Sequence, residues 1–182
     1  MSIHDPGGVF PRALGKAFAD LPQAVRAAHH GATPVALHGH ARARGDGGPA
    51  VMVRQLQSLP APGVHATAVF ITPLPGGGEA WSRRFGGRAF ASHVHPALGD
   101  PFAFEETVGL LTFRFHASPR ADGFSWNFES WRLGRLPLPT AWAPRTRARI
   151  FARDGLYRFR VLVAHPWLGV IFGYAGRLES RP

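Results

Sequence analysis

The stretch Gly123–Pro139, GFSWNFESWRLGRLPLP, sets Phe124, Trp126 and Phe128 in alternation with Ser125, Asn127 and Glu129. A period of two gives a strand one apolar and one polar face, so this segment predicts a central strand that delivers three aromatic rings to one core. Trp131 and Arg132 follow. Gly134, Pro137 and Pro139 then predict an abrupt end, because proline cannot donate to a ladder.

The same period recurs along the chain. Val35–Arg44 sets Val35, Leu37, Gly39, Ala41 and Ala43 against His38, His40, Arg42 and Arg44. Ala80–Phe85 and Arg88–His95 flank Gly86–Gly87, and Arg145–Arg153 and Leu156–Ala164 flank Asp154–Gly155. Both turns read as hairpins, the second with the residue pair a type I′ turn prefers. His65–Thr72, Phe102–Glu106, Leu110–Ala117 and Leu168–Leu178 are further strands at turn spacing. Before them, Phe10, Leu14, Phe18, Leu21 and Val25 form one helical stripe. Pro22 splits that stripe into two short helices near Leu21–Pro22, since an internal proline removes a hydrogen bond. Pro49–Leu59 is a third short helix with proline at its start.

The fold expected is mainly β within the α+β class: an antiparallel meander of about eight to ten strands curled into a barrel or a strongly bent sheet. The N-terminal helices pack on one face or opening. The 17 prolines and 22 glycines suit many short strands and turns. The chain reads as a single domain over 1–182, with a helical part carrying one strand over 1–63 and the meander over 64–182.

Absence of cysteine excludes disulfides and thiolate metal sites. No apolar run reaches the length of a membrane span, and no basic-then-apolar leader is present, so the expected compartment is the cytoplasm. The net charge is +10, and Lys16 is the only lysine. Such a surface suits nucleic acid, an anionic membrane or acidic ligands, but arginine spread along a whole chain is also what a codon bias produces.

Trp81, Arg83, Arg84, Phe85, Arg88 and Phe90 interleave guanidinium groups with rings across one hairpin. Read functionally, Arg83, Arg84 and Arg88 meet the charged end of an anion while Trp81, Trp126 and Trp131 line an apolar part. Read structurally, the arginines stack on rings and pair with Glu79, Glu105 or Glu129. Phe113, Phe115, Phe124, Trp126, Phe128, Tyr157 and Phe159 either fill a core or wall a hollow barrel. Glu129, beside Asn127 and Ser125, is a candidate lone buried carboxylate with raised proton affinity. His93 and His95, like His38 and His40, stand two residues apart without a nameable third ligand, so neither a metal nor a cofactor is expected. Arg145, Arg147, Arg149 and Arg153 form a basic row along one strand. No nucleophile elbow, zinc-protease helix or phosphate loop occurs, so catalytic residues stay unassigned and the chain reads more as a binder than an enzyme.

FPRALGKAFADLPQAVRAAHH, EAWSRRFGGRAFAS, WRLGRLPLPTAWAPRTRAR and DGLYRFRVLVAHPWLGVIFGYAGRL together resemble the bacterial domain-of-unknown-function family DUF4166 over nearly the whole chain. Trp81–Arg88, Leu136–Pro139 and the PWLGVIFGYAG run are the most distinctive parts. Relatives in that family also occur fused to a nicotinamide-dependent oxidoreductase-like domain. The resemblance therefore implies an oxidoreductase partner as one alternative, although this chain has no dinucleotide fingerprint of its own. The first functional expectation is a non-enzymatic domain holding an apolar small molecule, with or without an anionic end. The second is an enzyme or accessory module working with an oxidoreductase. The third is a basic surface for nucleic acid or anionic membrane, with no specific nucleic acid expected.

Overall fold

Eleven strands and three α-helices make up the computed structural model, which describes residues 7–180. The helices are α1 (Val9–Leu14), α2 (Gln23–His29) and α3 (Pro49–Leu56). The strands are β1 (Val35–Arg44), β2 (Gly63–Leu74), β3 (Gly78–Phe85), β4 (Arg88–Pro96), β5 (Ala103–Val108) and β6 (Leu111–Arg120). They continue with β7 (Gly123–Leu133), β8 (Leu136–Leu138), β9 (Arg145–Arg153), β10 (Leu156–His165) and β11 (Gly169–Ser180).

Every strand pairs antiparallel with its neighbours in sequence, except that β8 and β9 do not pair with each other: both lie on the edge of β7 away from β6, β8 as a short flap on its last residues and β9 along its first. Pairing of β1 with β11 and of β6 with β7 closes the sheet into a ten-stranded antiparallel barrel. Closure leaves no long free edge, which is how an all-antiparallel sheet avoids pairing with other chains. The β1–β11 seam is tight: a side chain at Gly39 or Gly176 would run into the backbone of the facing strand. The β9–β10 hairpin turns through Asp154 (φ 57°) and Gly155 (φ 73°), the two positive values a type I′ turn requires.

Two sequence expectations need amendment. Leu136–Leu138 does pair with β7, and Pro137 stands opposite Arg132. Proline is tolerated there because β8 has one free side, so its missing N–H breaks no ladder. In β7 the register shifts opposite Arg114/Phe115, leaving Glu129 as an extra residue between the Phe115–Phe128 and Arg114–Ser130 pairs. That bulge reverses the strand's parity, so Trp131 rather than Ser130 returns to the inner side, stacked on Phe113 with ring centroids 6.0 Å apart.

One end of the barrel is closed by α1 and α2. The chain breaks between them at a 3₁₀ turn over Gly15–Phe18, with Pro22 capping α2. Phe10 descends from α1 as a plug, with ring centroids 4.9 Å from Phe124, 5.3 Å from Phe104 and 5.8 Å from Trp126. The opposite end carries the β3–β4, β5–β6 and β10–β11 turns and the β8 flap, and α3 crosses it against β11. Arg54 fixes α3 there, donating to the Ile171 and Asp46 carbonyls at 2.9 and 2.6 Å.

Candidate functional site

Ten inward-facing strand surfaces enclose more space than the plug fills. Above Phe10 lies an apolar cavity of about 210 Å³. Its floor is Trp81, Trp126 and Tyr157, its wall includes Phe115, Phe159 and Phe172, and Val53 of α3 and Gln57 just after it stand at its open end. The volume exceeds the ~150 Å³ of an apolar cavity known to stay dry and accept benzene.

Inside this apolar wall sits one charged cluster. Arg83 is 4% exposed. Its guanidinium donates to Ser92 Oγ at 2.8 Å and to Glu106 Oε1 at 3.0 Å, while the Ser92 hydroxyl donates to the same Oε1 at 2.7 Å. The three side chains thus form a closed triangle. Arg83 Cζ also lies 4.7 Å from the Trp81 ring centroid and 5.4 Å from that of Phe90, so aromatic faces supply attraction on its remaining sides. Burial alone would push the guanidinium's pKa down. The Glu106 carboxylate, which also accepts its hydrogen bond, outweighs burial and holds the pKa above the ordinary value, so Arg83 is charged. Arg83, Glu106 and Tyr174 all border the cavity. Burial raises the pKa of Tyr174, which remains a neutral phenol able to donate.

A second polar layer lies beneath the floor. The Tyr157 hydroxyl and His29 Nε2 are 3.0 Å apart, and the His29 ring stacks on Trp81 at 5.4 Å. Burial, with help from His30 and Arg83, lowers the His29 pKa to about 3, so the imidazole is neutral. Trp81 Nε1 donates to Glu79 Oε2 at 2.8 Å. Replacing Tyr157 with phenylalanine would strand His29 Nε2 in an apolar layer. The expected loss is about 1–2 kcal/mol of unfolding free energy, read from the shift of a denaturant midpoint.

The residues singled out in the sequence divide between the two surfaces. Trp81, Arg83 and Trp126 come together at the cavity. Trp131 is on the inner side near the mouth, where its indole donates to the Pro139 carbonyl at 3.0 Å. Arg84 is outside, over the Phe70 ring, and Arg88 is exposed at the β3–β4 turn, so neither accompanies Arg83. Glu129 is not a buried carboxylate: it is 43% exposed and paired with Arg114 at 2.9 Å on the outer face, the face that alternation with Ser125 and Asn127 already gives it. The carboxylate with raised proton affinity is Glu79. His93 and His95 are exposed, with ring centroids 6.3 Å apart, and among the described residues no group of three His, Asp or Glu side chains could hold a metal ion. Arg149 of the basic row pairs with Asp122.

Sequence reasoning missed Ser92, Glu106 and Tyr174 as parts of the site. The only available signal was parity: Arg83 and Glu106 are both inward positions, but their pairing spans 23 residues and two strand registers.

The motifs that carry the family resemblance fall on this architecture: Trp81–Arg88 supplies the floor and the buried arginine, and Leu136–Pro139 forms the flap at the mouth. A family described as a domain of unknown function, DUF4166, matches residues 21–178. The chain belongs to that family. The DUF4166 match begins just before α2 and ends in β11, so it takes in every barrel strand. A search among curated proteins finds no match. No helix among the described residues of this DUF4166 chain is long and apolar enough to cross a membrane.

Proposed function

We propose that the barrel is a calyx for a small apolar molecule bearing one polar group, entered from the end that α3 crosses. The observation that carries this reading is the coexistence of an apolar cavity of about 210 Å³ with a single internally bonded polar cluster, Arg83–Ser92–Glu106, in its wall. Ligand pockets are typically apolar with a few fixed polar groups that set orientation.

The polar cluster also narrows the ligand. Glu106 already neutralises Arg83, so a ligand carboxylate would approach an ion pair rather than a free cation. Both protein hydrogen bonds to Glu106 fall on Oε1. A hydroxyl or amide group, able to donate to the carboxylate and accept from the Tyr174 phenol, matches this wall better than an acid. The anionic ligand expected from the arginine-rich hairpin thereby gives way to a neutral amphiphile.

The test uses N-phenyl-1-naphthylamine, a neutral probe that fluoresces in apolar surroundings. It is expected to bind one per chain and to be displaced by a medium-chain alcohol at lower concentration than by the matching fatty acid. Val161→Trp, which fills the wall from β10, is expected to weaken probe binding about tenfold or more. Absence of probe binding, or binding that Val161→Trp leaves intact, would refute the calyx. Preference for the acid would refute the neutral ligand alone.

A further inference from the structure

Ten large apolar side chains are exposed among the described residues, and only Leu98 and Phe102 of these lie at the helix-capped end. At the opposite end, α3 presents Met52 and Leu56, the β5–β6 turn Leu110, the start of β8 Leu136, the segment before β9 Trp142, and the β10–β11 turn Trp167. Trp142 is 54% exposed, Trp167 74% and Leu56 81%. Isolated exposed apolar residues are ordinary, but here five separate connections converge to ring the mouth of one cavity.

The same end is basic. Arg44, Arg88, Arg135 and Arg145 are exposed at the end of β1, the start of β4, the β7–β8 turn and the start of β9. Two acids toward this end are engaged elsewhere: Asp46 Oδ2 accepts the Val170 N–H at 2.7 Å, and Glu105 pairs with Arg132 at 2.6 Å. An apolar ring is therefore set within a positive collar. A second copy of this chain would bring collar against collar. A nucleic acid would use the arginines but leave Met52, Leu56, Leu110 and Leu136 in water. A bilayer with anionic headgroups satisfies both features, since indole and aliphatic groups settle at the headgroup boundary while arginine is drawn to the negative surface.

We propose that this rim docks the barrel, mouth down, on an anionic lipid surface. The docking stands whether or not the cavity takes up a ligand, so its test is independent of the calyx. Wild-type protein is expected to sediment with vesicles of phosphatidylcholine and phosphatidylglycerol at low salt. Binding to phosphatidylcholine alone is expected to be at least about tenfold weaker. Trp142→Ala with Trp167→Ala, and separately Arg135→Glu with Arg145→Glu, are each expected to weaken binding to the anionic vesicles about tenfold or more. Leu98→Ala with Phe102→Ala, at the capped end, is expected to leave it unchanged. Brominated lipid should quench wild-type tryptophan fluorescence more than that of the Trp142/Trp167 double variant, whose Trp81, Trp126 and Trp131 remain inside. Leu136→Asp, at an exposed position on β8, provides a second rim substitution if either double variant fails to fold by circular dichroism. No sedimentation of wild type with anionic vesicles would overturn the proposal. So would equal losses from rim and capped-end variants, or binding of polyuridylate that the rim variants abolish while vesicles are ignored.

Discussion

Replacing Glu106 with leucine is expected to lower the unfolding free energy by about 3–5 kcal/mol, and replacing Arg83 with methionine in the same chain is expected to return most of that loss. The single change leaves a guanidinium among Trp81, Phe90 and the cavity wall, holding only its bond to Ser92. The charge was tolerable because Glu106 Oε1 lay 3.0 Å away. A buried charge without its partner carries its full desolvation penalty, whereas an apolar pair of similar volume carries none. Urea unfolding of the two variants beside wild type measures both numbers, and an unchanged slope would show that the unfolded state is unaltered. A mild single variant would mean that water reaches Arg83 through the mouth. The double variant also separates stability from recognition. It should bind N-phenyl-1-naphthylamine about as well as wild type but lose the preference for an alcohol over an acid, because the cluster that reads the polar end is gone.

The barrel was legible where the signal is local. Alternation located β1 and β9 residue for residue, and Asp154–Gly155 placed the hairpin between β9 and β10 because only that backbone geometry joins two such strands tightly. Pro22 marked the break between α1 and α2 for an equally local reason. What stayed hidden depends on pairings distant in sequence. Closure requires β1 to meet β11, and no feature of Val35–Arg44 names Gly169–Ser180 as its partner.

The bulge at Glu129 is a subtler case. Ser130 is compatible with either face, so the only mark of the slip in GFSWNFESW is the step of three, rather than two, from Phe128 to Trp131. Yet the slip moves Trp131 inward and leaves Glu129 with Arg114. In the site, Trp81, Arg83 and Trp126 were legible because parity alone puts them inside. Arg84 and Arg88 attached to them only through adjacency in sequence, which a strand places on the wrong face or at the wrong end. Glu79 was visible only as a partner for arginine. Its actual role follows from α1 lying over it, a contact made across the barrel end.

Glu79 provides the pH dependence. Replacing it with glutamine is expected to make the variant progressively more stable relative to wild type as pH rises, by about 3 kcal/mol between about pH 4 and pH 8. Burial raises the Glu79 pKa from 4.5 to about 7, against the opposing hydrogen bonds from Trp81 and the Val9 backbone N–H. Between those values the unfolded chain has released the proton and the folded chain still holds it. Folding then binds a proton, and stability falls as pH rises through the window. Glutamine has no proton to release, so the difference between the two proteins isolates this carboxyl. His29 acts with the opposite sign. Its pKa falls from 6.5 in the unfolded chain to about 3 in the fold, so stability is lost as pH drops below 6.5. The two slopes oppose each other between 4.5 and 6.5, which flattens the wild-type curve there and conceals both groups unless one is removed. Unfolding free energies of wild type and Glu79→Gln, measured across pH at constant ionic strength, give the difference directly. A difference independent of pH would mean that water reaches the Glu79 carboxyl beneath α1 and that it ionises as an exposed acid does. A rising difference would show that the helical plug is seated on a protonated acid, and that raising the pH loosens the floor of the cavity from below.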